Sequence, residues 1–189
     1  MNAGVTAIVP AAGRGTRFGA DRNKALVDLL GRPMLRVTLD ALAVCVEIND
    51  LVIAVHPDDR REVERICEGL AKPWLLADGG QTRQVSVRNA LVLVETPIVA
   101  VHDAARPLIT PDIVSRCIAS AREHGSGIAA VPVADTLQRA DTEGLVLDSV
   151  PREDLWAMQT PQCAKTTLLR DAFEQAERDG LVFTDEGSL

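Results

Sequence analysis

Short apolar runs alternate along this 189-residue chain with longer stretches in which apolar residues recur every three or four positions. The short runs are typical of buried strands, and the periodic stretches are typical of helices that bury one face. The predicted strands cover 6–10, 51–55, 73–77, 98–102 and 127–133, and the predicted helices cover 33–46, 57–70, 82–94, 111–124 and 165–179. Alternating strands and helices predict an α/β fold with a mostly parallel sheet that is covered by helices on both faces.

The pattern changes between Ala134 and Met158. Two short stretches there are separated by turn residues at 141–144, which predicts a β-hairpin inserted into a Rossmann-like fold. Because a projecting hairpin cannot bury its apolar face alone, we expect 134–158 to be an arm that packs against a second copy of the chain. The alternative is that the hairpin folds back onto its own domain. The chain length fits a single domain, 1–189, that carries this arm.

Composition narrows the class of protein. The formal net charge is −7, aromatic residues make up 3% of the chain and tyrosine is absent, so a basic, ring-bearing surface for nucleic acid is not expected. The four cysteines lie far apart, without the spacing of a zinc site or of a dense disulfide pattern, and are expected to be reduced. The start of the chain does not resemble a signal peptide, and no apolar run reaches the roughly 18 residues of a membrane helix. We therefore expect a cytoplasmic protein that binds neither nucleic acid nor membrane.

A loop rich in glycine and arginine follows the first predicted strand at 11–19, and Lys24 lies shortly after it. Its glycines let backbone N–H groups approach an anion, and its basic side chains supply positive charge. Between Ala11 and Arg36 the chain has six basic and two acidic residues, although the protein as a whole is acidic. This pattern favours a phosphate-binding loop. The alternative is an ordinary strand-to-helix turn whose arginines are solvated.

The loop matches neither of two common phosphate motifs. A dinucleotide-binding fingerprint needs a third glycine where Phe18 stands, and a P-loop needs Gly-Lys followed by Ser or Thr, which does not occur here. The three histidines are scattered and nothing resembles a nucleophile elbow, so a histidine-centred metal site and a covalent nucleophile are not indicated. Basic residues acting with Mg²⁺ suit phosphoryl or nucleotidyl transfer, because the transition state of that chemistry spreads negative charge over oxygens.

Two further strand ends carry candidate chemistry, because ligands of open parallel sheets bind beyond the carboxyl ends of the strands. Asp103 follows the predicted strand at 98–102 and could hold Mg²⁺, a cation that takes one or two carboxylates together with substrate phosphate oxygens. The alternative for Asp103 is a helix or turn cap. The segment 78–86 follows the strand at 73–77, and its backbone and hydroxyl groups could bind a base or a ribose.

Four segments occur in order along the chain: PAAGRGTR at 10–17, VHDAARP at 101–107, WAMQTPQ at 156–162 and TDE at 184–186. Together they resemble the 2-C-methyl-D-erythritol 4-phosphate cytidylyltransferase family over essentially the whole chain. The resemblance implies an enzyme of non-mevalonate isoprenoid biosynthesis that joins CTP and 2-C-methyl-D-erythritol 4-phosphate to give the CDP-alcohol and pyrophosphate. It also implies that Mg²⁺ bridges the nucleotide phosphates and that the protein is a homodimer.

The same resemblance implies a role for particular residues. Arg17 and Lys24 would stabilise the pentacoordinate α-phosphate during the attack, and Asp103 would contact the metal. Thr136 and Arg152, in the hairpin region, would hold the sugar-alcohol phosphate across a dimer interface. The cytidine and triphosphate positions fall on Ala11, Ala12, Gly13, Gly80, Ser86 and Ala104, and a further substrate position falls on Thr160.

Two features depart from the family pattern. Asn23 stands where the family usually has a proline before the catalytic lysine, so we expect Lys24 to be held less rigidly. The sequence ends at Leu189, whereas family members continue through a strand and a helix that carry a second phosphate-contacting lysine. We therefore expect a C-terminally short domain with low activity. The alternatives are a ribitol 5-phosphate cytidylyltransferase and a nucleotide-binding homologue whose catalysis is impaired.

Overall fold

The computed structural model describes residues 4–13, 23–183 and 185–188. Its strands are β1 (Val5–Pro10), β2 (Asp28–Leu29), β3 (Arg32–Pro33), β4 (Ile48–Val55), β5 (Trp74–Asp78), β6 (Ile98–Val101), β7 (Ser126–Pro132), β8 (Leu137–Ala140), β9 (Val146–Val150) and β10 (Trp156–Lys165). Its α-helices are α1 (Met34–Ala43), α2 (Arg60–Cys67), α3 (Arg83–Leu91), α4 (Pro111–His124) and α5 (Thr166–Arg178). None of these helices is long and apolar enough to cross a membrane.

The central sheet confirms the predicted α/β fold. Six strands pair in the order β5–β4–β1–β6–β10–β7, and β1, β4, β5 and β6 run parallel. β10 runs antiparallel to β6 and β7 on either side of it, so β7 has the same direction as β6. The sequence pattern does not predict β10, because its first residues fall within the stretch assigned to the hairpin.

Helices cover both faces of the sheet, as predicted. Val5, Ala7 and Val9 of β1 belong to an apolar cluster with residues of α1, α2 and α4. Ile8 belongs to a second cluster, which includes residues of α3 and α5. This alternation arises because successive side chains of a strand point to opposite faces. β1 is therefore buried on both faces, which is typical of a central parallel strand.

The ends of two predicted elements shift where the chain passes from α1 to β4. The helix ends at Ala43, three residues before its predicted end, and Val46 is 85% exposed. β4 begins at Ile48, three residues before its predicted start, because buried apolar residues lie on both sides of the two polar residues at 49–50. One of these, Asn49, accepts the backbone N–H of Val5 at 2.8 Å and so belongs to the end of the sheet.

The predicted hairpin forms from β8 and β9, which pair antiparallel as a separate two-stranded sheet. Leu145, Val146 and Leu147 lie at and beyond its turn and are each more than half exposed. The residues of both strands are nearly all exposed. Within the described residues, the hairpin therefore does not bury this apolar surface against its own domain.

The carboxyl ends of β1, β4, β5 and β6 lie along one edge of the sheet. After β1 the chain adds β4 and β5 on one side of that strand, and then returns to add β6 on the other side. The order of strands reverses at this point, so the connections from β1 and β6 leave in opposite directions and border a crevice. The loops after β1 and β6 are therefore the natural place for a ligand.

Gly79 brings the loop after β5 against the loop after β1. Its N–H donates to the carbonyl of Val55 at 2.7 Å. A Cβ at this position would overlap the Cβ of Ala12 and would lie 2.9 Å from the carbonyl oxygen of Val55. A residue without a side chain is therefore required for this close approach.

We predict that Gly79→Ala lowers the free energy of unfolding by about 1–3 kcal/mol, because the added methyl group must displace Ala12 or the end of β4. Urea denaturation followed by circular dichroism measures this change. Gly13→Ala is the matched control, since no atom of residues 4–13, 23–183 and 185–188 lies within 4 Å of its Cβ position. Equal losses in the two variants would contradict the steric explanation.

Candidate active site

The loop after β1 begins with a fixed backbone and then becomes exposed. The N–H of Ala11 donates to the carbonyl of Ala54 at 2.8 Å, Ala12 is partly exposed and Gly13 is exposed. Arg17 lies outside the described residues, together with the rest of 14–22, so its predicted role stays a prediction. Lys24 lies within the described residues. It is the first residue of a short 3-10 turn, and it is exposed.

Asn23 anchors the segment that carries Lys24. Its Nδ2 donates to the carbonyl of Ala11 at 2.6 Å and to Oδ2 of Asp59 at 2.9 Å. Its Oδ1 accepts the N–H of Ala25 at 3.0 Å. Because proline is missing here, the sequence predicts that Lys24 is held less rigidly. The structure differs from this expectation, since Asn23 fixes the segment by hydrogen bonds. The carboxamide makes three hydrogen bonds that a proline ring cannot make.

Asp103, the predicted metal ligand, lies two residues beyond the end of β6 and is hydrogen-bonded by two arginines. Its Oδ1 accepts Nε–H of Arg83 at 3.1 Å, and its Oδ2 accepts Nε–H of Arg106 at 2.9 Å. Arg106 also donates to Oε1 of Gln159 on β10. In the described part of the chain, the carboxylate thus bonds to side chains, which argues against the alternative role of a helix or turn cap.

Arg83 connects Asp103 to a second carboxylate. Its Nη1 donates to Oε1 of Glu186 at 2.7 Å. The Glu186 side chain is 5% exposed, and its Oε2 has no hydrogen-bond partner among the described residues. We call the group Asp103, Arg83, Arg106, Gln159 and Glu186 the Asp103 cluster.

The cluster separates the pKa values of its two carboxyl groups. Burial alone would raise the pKa of Asp103, but the charges of Arg83 and Arg106 outweigh burial and lower it. Burial raises the pKa of Glu186, and its ion pair with Arg83 offsets only part of this effect. Burial would lower the pKa of Arg83, but its two carboxylate partners raise it overall. Arg83 and Asp103 are therefore both charged at neutral pH.

His102 and Thr160 hold the backbone of Asp103. Nε2 of His102 lies 3.1 Å from the carbonyl oxygen of Arg106, which can only accept, so the hydrogen of the neutral ring is on Nε2. Nδ1 then accepts the hydroxyl hydrogen of Thr160 at 3.0 Å. The same hydroxyl accepts the N–H of Asp103 at 3.2 Å. This chain gives Thr160 a positioning contact, while its contact with a substrate stays a prediction.

The predicted nucleotide-binding residues beyond β5 and β6 are fixed by bonds within the protein. The N–H of Gly80 donates to Oγ of Ser86 at 3.0 Å, and that hydroxyl donates to the carbonyl of Thr82 at 2.9 Å. The carbonyl of Ala104 accepts the hydroxyl of Thr38 at 2.8 Å. The side chain of Ser86 thus shapes the loop at 78–82. The contacts of these residues with a nucleotide stay predictions.

The two substrate residues predicted in the arm lie at its base. Thr136 directly precedes β8, Arg152 lies two residues after β9, and both side chains are exposed. Arg152 donates to the carbonyl of Ala134. Within the described residues, no hydrogen bond or ion pair joins either of them to the Asp103 cluster.

Sequence reasoning assigns no role to Arg106, Gln159 and Glu186. Each lies in a segment that carries the family resemblance, at 101–107, 156–162 and 184–186, so the signal is present in the motifs. Their meeting is not visible along the chain, since Arg83 and Glu186 are 103 positions apart.

The side chains around Asp103 fit a divalent cation that takes most of its ligands from a substrate and from water. In the ranges that the structure describes, no group of three or more His, Cys, Asp or Glu side chains could hold a metal. Asp103 offers two oxygens, each with one arginine partner and a remaining lone pair. Mg²⁺ often binds one or two carboxylates and completes its shell with substrate phosphates and water. The arrangement therefore fits Mg²⁺ bound with a nucleotide rather than in a protein cage.

We predict that the stability of the protein falls as the pH is lowered through about 6.5, the ordinary histidine value. Burial lowers the pKa of His102, so over this range the unfolded chain binds a proton that the folded chain does not. Urea denaturation at several pH values measures the slope. His102→Gln removes the titrating ring and keeps a donor for the Arg106 carbonyl, so its slope should be flatter. An unchanged slope would show that other groups cause it.

The comparisons with known proteins all point to the same family. A family model described as 2-C-methyl-D-erythritol 4-phosphate cytidylyltransferase matches residues 5–189. A protein of that name from Synechococcus sp. (strain CC9902) is 40% identical over 184 residues, which cover 96% of this chain and 81% of the relative. A protein of the same name from Bacillus pumilus (strain SAFR-032) is 38% identical over 185 residues, covering 96% and 80%.

Solved structures agree with the sequence comparisons. The crystal structure of 2-C-methyl-D-erythritol 4-phosphate cytidylyltransferase from Thermus thermophilus matches with a TM-score of 0.79 at 34% identity. The match covers 100% of this chain and 82% of that one. The similarity in sequence and fold thus extends along nearly the whole chain. The chain belongs to the 2-C-methyl-D-erythritol 4-phosphate cytidylyltransferase family.

Proposed function

We propose that this protein transfers the cytidylyl group of CTP to 2-C-methyl-D-erythritol 4-phosphate, as a step of non-mevalonate isoprenoid biosynthesis. The products are the CDP-alcohol and pyrophosphate. The observation that carries the proposal is the Asp103 cluster, which lies at the point of strand reversal, where β6 is the neighbour of β1. The names of the relatives support the choice of the two substrates.

The reaction needs charge stabilisation rather than a covalent nucleophile. An oxygen of the substrate phosphate attacks the α-phosphorus of CTP and forms a new P–O bond. The bond from the α-phosphorus to the oxygen that bridges to the β-phosphate breaks, and pyrophosphate leaves with the electron pair. Negative charge develops on the phosphate oxygens, so cations fixed near the α-phosphorus lower the barrier. We assign this role to Lys24 and Arg17.

Asp103 is the residue that we assign to Mg²⁺. When bound there, the cation would neutralise part of the charge of the nucleotide phosphates. The two arginines orient the carboxylate of Asp103 and lower its pKa, so the group stays ionised, as a metal ligand must be. Arg106, 42% exposed, also stands where it can face an anionic substrate.

We propose further that the protein is a homodimer in which the arm of one copy completes the site of the other. The exposed apolar side chains of the arm support an interface, because a hairpin of this size is not stable with its apolar face in water. The same proposal explains why, among the described residues, no hydrogen bond or ion pair joins Thr136 or Arg152 to the Asp103 cluster of their own chain. Arg152 would then bind the phosphate of the sugar alcohol held by the partner subunit.

We also place the protein in the cytoplasm. The four cysteines are all free and buried. Burial raises the pKa of the Cys67 thiol to about 11 and also raises the pKa of Cys45, Cys117 and Cys163. Unreactive, unpaired thiols support a reducing compartment.

We predict that the protein releases pyrophosphate from CTP and Mg²⁺ with 2-C-methyl-D-erythritol 4-phosphate and not with ribitol 5-phosphate. Lys24→Ala should lower kcat by about a hundredfold or more and change CTP affinity much less, because its charge acts in the transition state. Lys72→Ala is the matched control, since Lys72 precedes β5 at the opposite edge of the sheet. Release with ribitol 5-phosphate alone would assign the other substrate. CTP binding without release would identify an impaired homologue.

We predict that mixing Lys24→Ala with Arg152→Ala restores activity that neither variant has alone. If Arg152 acts on the partner subunit, random exchange leaves one intact site in each mixed dimer, so about a quarter of wild-type turnover should return. The control mixture contains Lys24→Ala and the Lys24→Ala/Arg152→Ala double variant, which cannot form an intact site. Failure to restore activity in dimers whose exchange is shown by co-purification of two differently tagged variants would place Arg152 in its own subunit's site.

A further inference from the structure

Asn23 lies in the connection that follows β1, where this connection meets the loop after β4, and both polar groups of its carboxamide are hydrogen-bonded there. Both hydrogens of Nδ2 are donated, one to the carbonyl of Ala11 at 2.6 Å and one to Oδ2 of Asp59 at 2.9 Å. Oδ1 accepts the N–H of Ala25 at 3.0 Å. The residue is 6% exposed. A polar side chain buried to this degree is stable only because each of these groups has a partner.

Two of the three hydrogen bonds tie the segment around Lys24 to other parts of the fold, and the third lies within the segment. Ala11 directly follows β1, and Asp59 ends the 3-10 turn that follows β4. Ala25 is the residue after Lys24, and it is itself buried in the core. The chain is therefore held on both sides of Lys24, although the lysine side chain is exposed.

The backbone of Asn23 shows how this hold acts. Its φ is −56° and its ψ is 121°, so the chain is extended at this residue before it enters the turn Lys24–Leu26. The carbonyl of Asn23 accepts the N–H of Leu26 at 3.0 Å and closes that turn. The φ value lies within the range that a proline ring imposes. The three side-chain hydrogen bonds thus favour a φ value that a proline ring would fix covalently.

We propose that Asn23 is a positioning residue for Lys24: its three hydrogen bonds fix the lysine backbone so that the ammonium group meets the charge that develops at the α-phosphorus. The inference rests on the function proposed above and deepens it. Asn23 acts through Lys24 and does not itself touch the reacting atoms. A displacement of about 1 Å at such a group can cost about a hundredfold in rate, whereas ground-state binding depends on many contacts and changes less.

The test compares Asn23→Ala with Asn23→Pro. The alanine variant removes all three bonds and leaves φ free, so kcat should fall between about tenfold and a hundredfold while the KM for CTP changes less than about threefold. Proline fixes φ near the observed value. The decrease in log kcat should therefore be at most about half as large in Asn23→Pro as in Asn23→Ala. Asp59→Ala removes one bond of the three and should give a smaller loss in the same direction.

Asn49→Ala is the matched control. It also removes an asparagine that bonds the backbone of β1, but at the opposite end of that strand. This variant should lose stability without losing kcat per folded molecule. A fall in kcat for Asn49→Ala as large as that for Asn23→Ala would overturn the proposal, because the effect would then be general destabilisation. So would a proline variant no better than the alanine variant.

Hydrogen exchange gives a readout that does not depend on activity. In the wild type, the N–H groups of Ala25 and Leu26 are both bonded to Asn23 and should be protected. Protection of both should fall in Asn23→Ala, and that of Leu26 should return in Asn23→Pro. Unchanged protection in Asn23→Ala would overturn the positioning role even if the wild-type protein were inactive. A silent wild-type assay with the expected exchange pattern would instead count against the proposed function alone.

Discussion

The pairing of β1 with β6 is the constraint on which the candidate site depends. The two strands run parallel from Val5 opposite Ile98 to Ile8 opposite Val101. Their carboxyl ends therefore lie side by side, with the glycine-rich loop leaving one and Asp103 following the other. β1 is buried on both faces, so a shift by one residue would exchange side chains that pack against different helices. The apolar core thus fixes the distance between the residues at which the two polar loops begin.

The Asp103 cluster has a charge balance that suits its proposed ligands. Two guanidinium groups and two carboxylates give a formal sum of zero, and Arg83 is bonded to both carboxylates. Removing one partner would leave a buried charge uncompensated, which is more costly than losing a surface ion pair. A nucleotide and its divalent cation carry charges of opposite sign. In the proposed complex, the two together would bring less net charge into the partly buried site than the nucleotide would bring alone.

The sequence predicts the parts of this structure that follow from local pattern. The limits of α4 and the presence of a hairpin between β7 and β10 agree with it, although the hairpin strands lie within 137–150 and not over the whole of 134–158. Asp103 follows β6 after one residue. β10 is missed because Trp156 and Met158, each about half exposed, do not form the apolar run of a buried strand. The contact of Arg83 with Glu186 is missed for a different reason: it joins α3 to a turn near the end of the chain, and only the packed fold brings them together.

Asn23 shows why a departure from a family pattern is hard to interpret without a structure. Sequence reasoning compares one residue with another at the same position, so replacing a ring with a flexible side chain looks like a loss of rigidity. Rigidity, however, depends on everything that restrains the backbone. Here the partners are Ala11 and Asp59, which come from loops after two different strands. A covalent restraint acts in any fold, whereas a hydrogen-bonded one exists only once the sheet has placed both loops beside the same side chain.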